Sequence, residues 1–206
     1  MPLNDIQLDL LKEAFNLGVG HAAYALSELA GGDEIELTVP QLSFKSLDDL
    51  IQEVYLESGG QVCGVSEKFN GLFPGRAMLL YSQKESLELV KVMLQGSFPV
   101  DLLSEMEGEA LCEVGNIVLN ACISSLANLL GGEIQTEVPC LHIGTPSEIL
   151  SFPEGQEDRV LLHLRMSFNC QQHSLMGHIG FLLELPSMDL LVRELDAYFQ
   201  RSLNLG

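Results

Sequence analysis

Residues 13–40 read EAFNLGVGHAAYALSELAGGDEIELTVP, and residues 113–139 read EVGNIVLNACISSLANLLGGEIQTEVP. The second stretch repeats the first. Glu13 aligns with Glu113, Asn16 with Asn116, Leu26 with Leu126, Leu29 with Leu129, and Gly31-Gly32 with Gly131-Gly132, all at one constant offset. A single extra residue in the first copy then brings Val39-Pro40 onto Val138-Pro139. Internal repetition of this kind decides the architecture before any single motif does.

Working outward, the first copy is helical by period. Leu8, Leu11, Phe15, Gly18, Ala22, Ala25 and Leu29 recur in steps of three and four, which predicts one long helix over residues 5 to about 30. Asn4 or Asp5 can cap its start, and Gly31-Gly32 can end it. The second copy predicts the same from about Leu103 to Leu130, ending at Gly131-Gly132. Strands are predicted at Glu34–Val39, Gln61–Val65, Ala77–Tyr81, Val160–Met166 and His178–Leu183, with turns at Gly59-Gly60 and Pro153-Glu154-Gly155. Gly75–Leu80 is echoed faintly by Gly177–Leu182, and each is followed by a helical pattern, Ser86–Leu94 and Ser187–Tyr198. The expected fold is therefore α+β and duplicated. Residues 1–206 form one domain, in which two pseudo-two-fold-related repeats, about 5–99 and 103–200, share one core. A β-sheet carries the long motif-bearing helices, which stay exposed.

Composition narrows the function. Acidic residues number 29 against 10 basic ones, a net charge of -19, which repels nucleic-acid backbones and anionic lipid headgroups. Neither nucleic acid nor membrane is expected as a partner. Apolar runs such as Ile179–Leu183 are far shorter than a spanning helix needs, and the N-terminus has no signal-peptide pattern, so the expected location is the cytoplasm. Cys63, Cys112, Cys122, Cys140 and Cys170 are scattered without C-x-x-C spacing, which disfavours disulfides and zinc and suits buried thiols. His21, His142, His163, His173 and His178 form no ligand spacing. There is no glycine-rich phosphate loop followed by lysine and no G-x-S-x-G elbow.

What remains is polar and doubled. Asp9, Glu13 and Asn16 lie at i, i+4 and i+7 on one face of the first helix, away from Leu11 and Gly18. Glu109, Glu113 and Asn116 repeat the spacing on the second, and Asn120 extends the row. A carboxylate and an amide on an exposed helix face are usually only a solvated surface. Here the same pair recurs at the same place in both copies. Asn is also a mediocre helix former, so a purely structural position would more readily hold Glu, Lys or Gln.

Glu113, Asn116, then 22 intervening residues and Pro139 resembles the signature of the CheC, CheX and FliY phosphatases, and Glu113-Val114-Gly115-Asn116-Ile117 looks especially typical. Glu13 and Asn16 form the first copy, with Phe15 where glycine is usual and Pro40 one residue late. Two motifs in one chain are similar to CheC in particular. The resemblance implies removal of the phosphoryl group from the aspartate of a CheY-like response regulator. Asn16 and Asn116 would hold the attacking water, and Glu13 and Glu113 would dock the regulator's lysine. It implies no cofactor of the chain's own, Mg²⁺ in the bound regulator, and the receptor deamidase CheD as a further partner. The chemistry suits these residue types: phosphoryl transfer depends on positioning and charge stabilisation, and an amide can both accept from and donate to a water. The rival expectation is a non-catalytic docking module of the same family.

Overall fold

Asn4 starts the first helix, α1 (Asp5–Leu29), through a reciprocal capping box with Gln7. Gly31 and Gly32 stop it with φ of 69° and 92°, a conformation that costs glycine no steric penalty. Strand β1 (Ile35–Lys45) follows, then α2 (Leu47–Ser58), β2 (Val62–Gly71), β3 (Gly75–Ser82) and α3 (Gln83–Met93). The second half runs α4 (Val100–Leu130), β4 (Ile134–Thr136), β5 (Cys140–Gly144), α5 (Pro146–Ile149), β6 (Arg159–Cys170), β7 (His173–Glu184) and α6 (Leu185–Leu203). These elements belong to a computed structural model that describes residues 3–94, 100–151, 159–170 and 173–203. The turn expected at Pro153-Glu154-Gly155 lies outside the described residues.

The seven strands form one antiparallel sheet in the order β1-β6-β7-β3-β2-β4, with β5 also paired to β2. Alternation along β3 shows how the sheet divides two cores. Ala77, Leu79 and Tyr81 face the larger one, built with α1, α3, α4 and α6, whereas Met78 and Leu80 face a smaller one under α2 and α5. Burial on both faces explains the apolar runs Val160–Leu162 of β6 and Ile179–Leu183 of β7.

The long helices pack on each other. A Cβ placed at Gly18 of α1 would stand 2.8 Å from the carbonyl oxygen of Ala121 and 3.0 Å from Ser125 Oγ of α4, so only glycine allows this approach. The stretch Met106–Leu130 of α4 is long and apolar enough to cross a membrane, contrary to the expectation that every apolar run is short. Half of its most apolar window is buried against the rest of the fold, and Leu111, Val114, Val118, Cys122 and Leu126 all belong to the larger core. The strands extend beyond their predicted bounds, and α2, β4, β5 and α5 were not predicted. Cys140 is exposed, unlike the buried Cys63, Cys122 and Cys170.

Candidate functional site

Glu13 lies exposed on α1, as does Asp9 one turn earlier, and among the described residues Glu13 takes no hydrogen bond or ion pair. Asn16 is half-buried, and its Oδ1 accepts the backbone N–H of Val39 at 2.9 Å. Local chain geometry explains this bond. The β1–β6 register breaks between Thr38 and Gln41, which takes Val39 and Pro40 out of the ladder. Val39 is 1% exposed, so its N–H needs a protein acceptor, and Asn16 provides one. The spacing from asparagine to proline is thus a physical distance: the amide reaches across to the residue before Pro40.

The second site keeps the residues and changes the support. Glu109 and Glu113 are exposed, Asn116 is half-buried, and Glu113 also takes no bond among the described residues. Val138 and Pro139 fall between β4 and β5, and Val138 is 84% exposed. Asn116 Oδ1 instead accepts from Asn120 Nδ2 at 2.7 Å, and Asn120 Oδ1 accepts from Thr136 Oγ1 at 2.9 Å. Beneath them Glu67 of β2 is 1% exposed. Burial pushes its carboxyl above the usual carboxylate range, and Thr136 and Asn120 offset part of that rise. Among the described residues both Glu67 oxygens nevertheless lack a partner at proper hydrogen-bond geometry. Glu67 was missed from sequence, although its place between the inward-facing Val65 and Phe69 signals a buried carboxyl.

In both sites, then, the amide oxygen is already engaged by the protein, while the carboxylate one turn earlier is open. The oxygen keeps a second lone pair and the NH₂ its donors, so each asparagine can still bind a water in a preset orientation. A groove between α1, α4 and α6, bordered by Leu10, Leu17, His21, Ser125 and Leu129, runs beside Glu13.

Two of the histidines without ligand spacing do come together. His163 Nε2 and His178 Nδ1 lie 3.0 Å apart, and Glu53 approaches them so that one donor-type atom of each lies within 4.8 Å of the others. A cation would have to compete for Glu53, which already pairs with Lys45 and lies 3.7 Å from Arg165. His178 Nε2 meets Glu57 at 3.1 Å. Burial first, then the Lys45 charge, holds His163 down at about 4. The cluster ties α2 to the outer face of β6 and β7 through neutral imidazoles and opposed charges.

No family model matches the chain. Among curated proteins it is similar to the CheY-P phosphatase CheC of Bacillus subtilis (strain 168), at 22% identity over 95% of this chain and 96% of the relative. Its fold is shared by Thermotoga maritima FliY, with a TM-score of 0.73 and 20% identity over 98% and 99% of the two chains. A chain of the FliG–FliM complex from H. pylori gives 0.66 at 10% identity over 92% and 99%. The CheX–CheY–BeF3–Mg complex from Borrelia burgdorferi gives 0.52 at 16% identity over 84% and 97%. Likeness along nearly the whole length to CheC, a fold held in common with FliY, FliM and CheX, and a doubled E-x-x-N signature agree: the chain is similar to the CheC, CheX and FliY proteins in sequence pattern and shares their fold.

Proposed function

We propose that this protein is a phosphatase acting on the phospho-aspartate of a CheY-like response regulator in chemotaxis signalling. Asn16 and Asn116 hold the attacking water in line with the phosphorus, and Glu13 and Glu113 pair with the regulator's lysine. The observation that carries this reading is the matched pair of motifs. Each of two long helices bears an open carboxylate and, one turn on, an asparagine whose amide is turned by a protein partner. Such a site has little covalent work to do, because the receiver brings its own Mg²⁺ and lysine and lacks only an aligned water. The chain needs no cofactor of its own, works in the cytoplasm as a single domain, and presents its two sites from duplicated halves related by a pseudo-two-fold axis. CheD is a second partner.

The test is the decay of a phosphorylated CheY-like receiver with Mg²⁺ present. Acceleration that saturates with added protein supports the reading. The likeness to FliM favours a rival, in which the fold serves only to dock a receiver or CheD. A decay rate unchanged at saturating protein, with binding retained, selects that rival.

A further inference from the structure

The second site contains a hydrogen-bonded relay that the first site lacks, and its function rests on the reading just given. Asn116 Oδ1 is held by Asn120 Nδ2 at 2.7 Å, and Asn120 Oδ1 by Thr136 Oγ1 at 2.9 Å. In the repeat alignment the counterpart of Asn120 is Gly20 and that of Thr136 is Leu37, neither of which can relay anything. The first site has no need of them, because the Val39 N–H meets Asn16 directly. Among the described residues no backbone N–H reaches the Asn116 amide oxygen, and Val138, the counterpart of Val39, is exposed. Two copies of one motif therefore reach the same end, an amide oxygen engaged by the protein, by unrelated means. A merely solvated asparagine would have no use for either.

We propose that Asn120 and Thr136 are positioning residues for Asn116, fixing the plane of its amide so that the water-binding edge faces the docked phosphoryl group. Asn120 lies one turn beyond Asn116 on α4, so the helix sets the distance between the two amides. Thr136, on β4, sets the rotation of Asn120, because its hydroxyl donates and so selects the amide oxygen. The buried Glu67 carboxyl forms the floor of this group. Neither Asn120 nor Thr136 is asked to touch the receiver.

The experiment uses the full chain carrying Asn16→Ala, so that the second site alone is read, with a phosphorylated CheY-like receiver as probe. Asn120→Ala lowers the turnover rate at saturating receiver by roughly 3- to 10-fold, the effect of one neutral hydrogen bond, and leaves KM unchanged. Added to Asn116→Ala, it causes no further loss, because it acts through Asn116. Thr136→Val gives a smaller fall in turnover, and Thr136→Ser restores it. Thr136 is exposed, so these variants keep the fold. A rise in KM, or an Asn120→Ala loss that adds to Asn116→Ala, would overturn the proposal. A second measurement needs no activity: the side-chain amide resonances of Asn116, followed by NMR in the free protein, shift and broaden in Asn120→Ala. If they do not move, the relay does not position Asn116. If they move while the unmutated protein fails to dephosphorylate the receiver, the positioning stands and the phosphatase reading fails.

Discussion

Around Asn16 the sheet comes to the helix, and around Asn116 it withdraws. In the first copy β1 is one long strand from Ile35 to Lys45, and at its register break between Thr38 and Gln41 the buried Val39 offers its N–H to the amide. In the second copy the same stretch is split into β4 and β5, and side chains do the holding. The helices differ in complementary fashion. Phe15 fills the space under α1 and lies 5.1 Å, centroid to centroid, from Phe181. Its counterpart Gly115 has none to fill: a Cβ there would stand 2.5 Å from Val65. One copy is braced by a long strand and a large aromatic, the other by close helix–sheet contact and a polar relay. A duplicated motif is thus preserved at its chemical end while its supports diverge.

The strongest way to break this comparison is to remove both amides. Asn16→Ala with Asn116→Ala should leave the receiver's spontaneous decay rate unaltered. Decay followed with the double variant at full activity would end the proposed mechanism. Singly, Asn116→Ala should cost more total activity than Asn16→Ala, with a fall at its own site on the order of 10²-fold. Glu113→Ala should additionally weaken receiver binding, seen as a higher KM.

Gly115→Ala tests the packing difference. Overpacking against Val65 should cost about 1–3 kcal/mol, more than the ~1 kcal/mol a helix gains when alanine replaces glycine. A lowered urea midpoint would show it, and an unchanged or raised one would mean α4 can stand off as α1 does.

Acid is a gentler probe, directed at the opposite face of the sheet. Burial, and next the Lys45 charge, keeps His163 at about 4 against an ordinary 6.5, and burial also lowers His178. The unfolded chain therefore binds more protons than the folded one between these values, and stability falls as pH drops from about 6.5 towards about 4. His163→Leu should flatten that slope in unfolding curves taken across the window. An equal slope in the variant would assign the acid sensitivity elsewhere. The smallest effect is expected at Gly20→Asn, which places an asparagine where the first copy has none. A Cβ there meets nothing within 4 Å, and Asn16 is already held, so activity should not change.

The long helices, the five main strands and both E-x-x-N pairs were legible because each rests on period or repetition. Helix α2 escaped because only Leu50 and Val54 are buried in it, too few to outline a periodic face, although Ser46 caps its start and Gly59 ends it at φ 70°. Strands β4 and β5 escaped because they are short and interrupted by Glu137, Val138 and Pro139. At the site, the row Glu113, Asn116, Asn120 could be read from helical spacing. That Thr136 joins it could not, because strand pairing brings Thr136 opposite Phe69 and next to the helix, a relation between distant segments that no local pattern carries. The meeting of His163 with His178 depends likewise on register, with Arg165 opposite His178 and Gly180 opposite His163.

Gly18 bears on how the two proposed sites would share a receiver. With the backbone of α4 directly against it, α1 has no side-chain layer through which to slide or roll. The two motif helices meet in close contact at this point, which favours their moving together. Under the proposed function, the number of receivers bound at once would measure the clearance between the two helix faces.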